Sequence, residues 1–256
     1  MSQEILFSQD GHIATITLNR PEKLNAMTKA MTALLEQYVD ECNKNDEIRV
    51  VILTSAGEKA FCAGSDIQDL DNFPTPWAWR THSGYCEAIR SINKPTIAAI
   101  NGWALGGGLE MALGCDIRIS ADAAKFGAPE IKLGWIGGGG MTALLSEAIG
   151  SSNTAMMIMT GEPVDSQKAL QWGLISEVVS AEELLTRAHA IAARIADNAP
   201  IAAESAKSNI RAAFSMSRED AIAYERDLQV ICLATEDAHE GRRAFKEKRK
   251  PIFTKR

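Results

Sequence analysis

The chain has 256 residues, 46% of them hydrophobic and 23% charged, the balance of a globular protein with a large core and not of a disordered or fibrous chain. A formal net charge of −6 argues against a nucleic-acid partner. No apolar run approaches the ~20 residues that a membrane-spanning helix needs, so no membrane association is expected.

Ile13–Leu18 (IATITL) alternates branched and small side chains and predicts a strand, closed by Asn19-Arg20-Pro21 because proline lacks the ladder donor. Thr28 to about Asn43 turns helical, with Met31, Leu34, Leu35, Tyr38, Val39 and Cys42 on one face. Arg49–Thr54 and Thr96–Ile100 are continuous apolar runs, the pattern of parallel strands covered on both sides. Between them, Phe73 to Trp79 contains two prolines and reads as a mobile, aromatic-rich segment, followed by a helix at Tyr85–Ile92. Leu109–Leu113 predicts a short helix, Asp116–Ser120 a strand, and Met141–Gly150 and Ser152–Gly161 two helices. Asp165 or Ser166 suits the cap of a helix ending near Gly173, and Ile175–Val179 a short strand. Helices follow at Glu182–Asn198, Ile201–Phe214 and Arg218–Ala234. The strand–loop–helix rhythm of the first half implies parallel pairing, so the fold class is α/β with a helical C-terminal region.

Five scattered cysteines, odd in number and without a C-x-x-C pair, indicate free thiols in a reducing compartment. Met1–Asp10 lacks the basic-then-apolar pattern of a targeting peptide, and the cytoplasm is the expected location. Residues 240–256 hold eight Lys/Arg against two Glu, a basic segment on an acidic body that either faces solvent or meets phosphate. There is no nucleophile elbow, no P-loop and no histidine in metal-ligand spacing, His82 included, so no metal is predicted.

Two glycine-bearing turns, Cys62-Ala63-Gly64-Ser65 and Gly106-Gly107-Gly108, each follow a predicted buried strand. Either they are tight turns only, or their small residues let a ligand approach backbone N–H groups, as an oxyanion hole requires. Glu110 falls in the first turn of the helix after Gly107, and Glu130 lies among apolar neighbours. Each is an ordinary surface glutamate or, beside apolar packing, a carboxyl of raised proton affinity fit for acid–base work.

The ensemble Asn19-Arg20-Pro21, Leu24-Asn25-Ala26, Lys59 through Asp66, Lys94-Pro95-Thr96-Ile97-Ala98-Ala99, Asn101-Gly102, Gly106 through Glu110, Cys115-Asp116-Ile117, Phe126-Gly127, Pro129-Glu130 and Leu133-Gly134 resembles the enoyl-CoA hydratase/isomerase (crotonase) family in order and spacing. Thr160-Gly161, Trp172-Gly173-Leu174 and Lys248-Arg249-Lys250-Pro251 extend the resemblance toward the C-terminus. It implies a spiral of β-β-α units with two roughly perpendicular sheets, a core over 1–195 carrying the acyl-CoA site, and a helical oligomerisation subregion over 196–256. Self-association as a trimer or dimer of trimers belongs to the same expectation.

The resemblance further implies an oxyanion hole from the N–H groups of Ser65 and Gly107, and a catalytic carboxylate pair, Glu110 and Glu130. Contacts to coenzyme A are expected from Lys23, Leu24, Ala26, Lys59, Ala63 and Lys250. Coenzyme A is part of the substrate, and no separate cofactor is expected. The acyl pocket is assigned to Trp77, Trp79, Trp135 and Gly137, with Phe73 and Tyr85 in the same lid region. Trp135 and Gly137 to Gly140 depart from the small residue and Ile-Pro-Gly that many family members carry; the bulk of Trp135 shortens the pocket or the glycines widen it. Retention of both glutamates points to reversible addition of water to a 2-enoyl-CoA. A double-bond isomerase using Glu130 and a hydratase of crotonobetainyl-CoA are the neighbouring alternatives, and a non-catalytic or RNA-binding scaffold is the alternative of a different class.

Overall fold

The structure, a computed structural model, describes residues 3–70, 74–81 and 84–256. Phe73 and His82 lie outside the described residues.

Strands β1 (Ile5–Asp10) and β2 (Ile13–Leu18) form an antiparallel hairpin that turns at Gly11, where φ is +54° and glycine carries no steric penalty. The helix Lys29–Lys44 follows, capped by Thr28, whose hydroxyl accepts from Met31 N–H at 3.1 Å. Its buried residues Met31, Leu35, Val39 and Cys42 recur at helical spacing.

From there the chain climbs in repeated turns. β3 (Val50–Ser55) is followed by β4 (Ala60–Cys62) and helices, β5 (Thr96–Ile100) by β6 (Trp103–Leu105) and the helix Gly107–Gly114, and β7 (Ile117–Ala121) by β8 (Lys125–Gly127) and the segment Met141–Thr160. In each turn the first strand joins the large sheet and the second joins the small one. The large sheet therefore runs β1-β2-β3-β5-β7 and is completed by β10 (Glu177–Val179); β9 (Val164–Asp165) closes the small sheet β4-β6-β8-β9. All pairings from β2 to β10 in the large sheet are parallel, as the crossover rhythm predicts.

Both faces of the large sheet are covered. Leu53, Ala98 and Ile100 point into the main core, and Val50, Ile52, Ile97, Ala99, Ile119 and Ala121 into a second core. The second core is sealed by the helix Leu184–Ala196, whose Leu184, Ala188, Ala192 and Ala196 repeat every four residues and bring its backbone close to the strands. This explains why β3 and β5 read as unbroken apolar runs. Each fully buried Ile, Val or Leu contributes about 1.5–3 kcal/mol.

Gly150 (φ +75°) breaks Met141–Thr160 into the two expected helices. Pro76 opens a helix, Pro76–Thr81, inside the stretch expected to be irregular; proline is tolerated in a first turn, where its missing N–H is no loss. The basic C-terminal segment is not a solvated tail. A helix, Glu236–Glu247, occupies its first half, Arg249 forks onto the Glu240 carboxylate at 2.6 and 2.9 Å, and Asp237 accepts from the backbone N–H groups of Thr254 and Lys255. No helix among the described residues is long and apolar enough to cross a membrane.

Candidate active site

The small sheet brings the two glycine turns together. β4 ends at Cys62 and the chain turns at Gly64, where φ is +95° and a Cβ would stand 3.1 Å from the Gly107 nitrogen. The turn is tied down by the Met27 N–H to Gly64 carbonyl bond (2.8 Å) and by the Arg20–Asp66 ion pair (2.7 Å). On the other side Gly106, with φ +54° and ψ −127°, starts the helix Gly107–Gly114. Among the described residues neither the Ser65 nor the Gly107 N–H has an acceptor within the protein. The Ser65 hydroxyl is engaged elsewhere, 2.7 Å from the Tyr85 hydroxyl.

Glu110 sits one turn into that helix and is 5% exposed. Its Oε1 accepts from Gly139 N–H at 2.7 Å and from Met141 N–H at 3.1 Å, and the Cys86 thiol lies 3.7 Å from Oε2. A Cβ on Gly137 would come within 2.8 Å of Glu110 Oε1 and one on Gly139 within 2.6 Å of Oε2. The glycine run thus wraps the carboxylate, and Gly137, Gly138 and Gly139 line the cavity beside it. Cys86 is pushed well above the ordinary thiol range, by burial first and by the Glu110 charge second, so it stays a neutral donor.

Glu130 lies in a short 3₁₀ helix, Pro129–Leu133, after β8. Its Oε2 is buried without a partner among the described residues, and a Cβ on Gly106 would be 3.0 Å from its Oε1. Burial raises its proton affinity above that of an ordinary carboxyl; its own backbone N–H opposes this and the Glu110 charge adds to it.

Ser65, Gly107, Glu110 and Glu130 all line one cavity of about 830 Å³, which Trp79, Trp135 and Gly137 also border. Trp135 is 44% exposed at the rim. Trp77 does not line it: the side chain is 67% exposed and stacks under the Arg80 guanidinium at 5.2 Å. A second cavity of about 430 Å³ is bordered by Leu24, Lys59 and Ala63, and Ala63 lines both. Asn25, fully buried with φ +55°, joins its walls by donating to Ala56 and Ala60 carbonyls. Lys23 and Ala26 flank that turn without lining the space. Lys250 lines neither cavity, since its Nζ is paired with Asp197 at 2.8 Å.

Tyr85, read from sequence as a lid aromatic, lines the reaction cavity and is packed against the Gly107 turn. Cys86 and the N–H donors of Gly139 and Met141 escaped the sequence reading, because backbone donors carry no residue signature.

A β-β-α spiral with strands dealt alternately to a large and a small sheet, followed by C-terminal helices, defines the crotonase class of α/β proteins. The solved structure of an enoyl-CoA hydratase from Bacillus anthracis superposes with a TM-score of 0.93 at 36% identity, covering 99% of this chain and 100% of that one. The chain belongs to the enoyl-CoA hydratase/isomerase family, whose model matches residues 8–256. It is 41% identical to a probable enoyl-CoA hydratase of Mycobacterium tuberculosis, over 99% of both chains. It is 36% identical to a short-chain-enoyl-CoA hydratase of Clostridium acetobutylicum, over 96% of this chain and 95% of that protein.

Proposed function

We propose that the protein is an enoyl-CoA hydratase acting on short-chain 2-enoyl thioesters. One observation carries the reading: two acceptor-free N–H groups, the buried carboxylate of Glu110 and the half-buried carboxyl of Glu130 border the same cavity. The thioester oxygen seats between the Ser65 and Gly107 N–H groups, which stabilise the enolate-like charge as it develops. Oε1 of Glu110 is already an acceptor for two N–H groups, so this carboxylate is the one suited to take a proton from water as the water oxygen bonds to C3. Glu130, whose environment favours the protonated form, delivers its proton to C2. The elements of water are thereby added across the double bond, and the proton on Glu110 returns to Glu130 for the next cycle.

The second cavity, sharing Ala63 with the first, is the place proposed for the coenzyme A handle, with Leu24 and Lys59 as contacts. The Arg80 guanidinium at the cavity border disfavours a quaternary ammonium acyl group, which weighs against crotonobetainyl-CoA. We read residues 1–195 as the acyl-CoA core and 196–256 as a self-association region. The exposed Ile210, Phe214, Ile222, Val230 and Ile231 on its helices support a trimeric assembly.

The test offers crotonyl-CoA and a 3-enoyl-CoA to the purified protein, following the conjugated thioester absorbance and the product mass. Gain of one water by crotonyl-CoA, lost in both Glu110→Gln and Glu130→Gln, supports the hydratase. Migration of the 3-enoyl double bond without water addition, lost only in Glu130→Gln, replaces it with an isomerase.

A further inference from the structure

Glu110 depends on a segment whose own backbone is fixed at one end only, where the Gly140 carbonyl accepts from Leu144 N–H at 3.0 Å in the helix that follows. Gly137 to Gly140 carry no side chains, and glycine has the widest backbone freedom of any residue. Yet Gly139 supplies the 2.7 Å bond to Glu110 Oε1, and the run leads directly into Met141, which supplies the 3.1 Å bond. A donor on so free a stretch stays on its acceptor only if the stretch is anchored from outside.

Arg90, the last residue of the helix Tyr85–Arg90, provides that anchor. Its Nη1 donates to the Gly139 carbonyl oxygen, and its Nη2 pairs with Glu87 Oε1 at 3.0 Å. The backbone carbonyl of Arg90 accepts from Arg211 at 2.8 Å, which braces the end of the helix. A Cβ on Gly140 would approach Arg90 Nη1 to 3.2 Å, so the guanidinium lies directly against the glycine run. Arg90 does not line the reaction cavity and cannot touch substrate from this position.

We propose that Arg90 is a positioning residue for the hydration reaction: it pins the Gly137–Gly140 run so that the run holds the Glu110 carboxylate in the orientation that accepts the water proton. This rests on the hydratase reading above. A charged donor on a carbonyl is stronger than a neutral one and survives the competition of water at a half-buried site. Freed from it, the glycine run samples conformations in which Gly139 N–H leaves Glu110, and the carboxylate turns with it.

The experiment compares wild type with Arg90→Ala in crotonyl-CoA hydration, reading kcat and KM separately, and repeats the variant assay with added millimolar guanidinium. Misorientation of a reacting group on the ångström scale costs up to about a hundredfold in rate. A fall in kcat of about tenfold or more, with KM within about twofold and partial recovery on adding guanidinium, is the expected result. A merely structural arginine predicts no response, because at a slope of a few kcal/mol per molar, millimolar guanidinium neither restores nor measurably weakens a fold. The proposal is overturned by a kcat within about twofold of wild type, by a loss that falls on KM, or by a loss that guanidinium does not relieve. If the alanine variant does not fold, Arg90→Met, which keeps bulk and lacks donors, is read by the same criteria. Absence of hydration by the wild type would be a failure of the hydratase reading and is seen before any variant is compared.

Discussion

A Cβ placed on Gly107 would fall 1.9 Å from the Tyr85 hydroxyl oxygen and 2.9 Å from the ring carbon that bears it. Tyr85 cannot withdraw freely, since its hydroxyl is bonded to Ser65 at 2.7 Å and its ring packs against the main core. Gly107→Ala therefore displaces the turn that presents one of the two acceptor-free N–H groups. Losing one donor of an oxyanion hole costs about 2.7–4 kcal/mol, so kcat for crotonyl-CoA should fall about 10²–10³-fold. A variant within about tenfold of wild type would show that the Gly107 N–H is not one of the donors to the thioester oxygen.

Glu130→Gln should abolish hydration and at the same time stabilise the protein at higher pH. An unfolded glutamate loses its proton near 4.5, whereas burial lets Glu130 keep it to higher pH in the folded state. Between those two values the folded chain binds more protons, so the stability Glu130 contributes is complete below about 4.5 and is lost as pH rises through its folded value. Glutamine has no proton to lose. The thermal midpoint of the variant should exceed that of wild type at pH 8, and the gap should close toward pH 5. A gap that instead widens on acidification contradicts the raised proton affinity. Activity should fall at least about a hundredfold, the usual contribution of a positioned proton donor.

The large sheet was legible because Val50–Ser55 and Thr96–Ile100 are long enough to display a continuous buried pattern. The small sheet was not. Its strands Ala60–Cys62, Trp103–Leu105 and Lys125–Gly127 have three residues each, too few to establish any period, and they are recognisable only through their pairing with one another. The same contrast holds at the site. Glu110 and Glu130 are visible as residue types in a familiar spacing, and the structure places both on one cavity. The clasp on Glu110 is made of the Gly139 and Met141 N–H groups, which any non-proline residue possesses. Lys250 was assigned with the basic segment that the family resemblance covers; within one chain its exposed ammonium pairs with Asp197.

Glu240 is the latch of the C-terminal segment. Its carboxylate accepts from Arg249, from the Ile252 N–H at 3.0 Å and from Arg243, and these bonds hold its proton affinity far below the ordinary carboxyl range. A depressed folded value means that the stability contributed is present above about 4.5 and is lost as pH falls. Glu240→Gln should leave residues 248–256 open to trypsin at neutral pH, where the wild-type segment is protected. Wild type should acquire the same sensitivity only on acidification. Equal protection of variant and wild type at pH 7 would mean that Asp237 and Arg49, whose guanidinium donates to the Phe253 carbonyl at 2.8 Å, hold the segment without the latch.

Lys207 carries its ammonium from the helix Pro200–Ser215 into the body of the protein, where it is 4% exposed. There it meets Asp116 Oδ2 at 2.8 Å and the Lys94 carbonyl at 2.8 Å. The same Asp116 oxygen accepts from the Thr96 N–H at 2.7 Å and the Thr96 hydroxyl at 2.8 Å, so one carboxylate ties the start of β5, the approach to β7 and the C-terminal helix together. Lys207→Met keeps most of the apolar stem but leaves that carboxylate without its cation. Breaking a pair buried on both sides costs about 3–5 kcal/mol; Asp116 keeps access to water that Lys207 lacks, so the loss should be smaller than that, and urea denaturation should detect it as a lower midpoint at unchanged slope. Adding Asp116→Asn removes the unpaired charge while keeping an acceptor for Thr96, so the double variant should recover part of the loss, and the two substitutions should be strongly non-additive. Additive losses would mean that Lys207 acts through the Lys94 carbonyl alone and that Asp116 is sufficiently solvated without it.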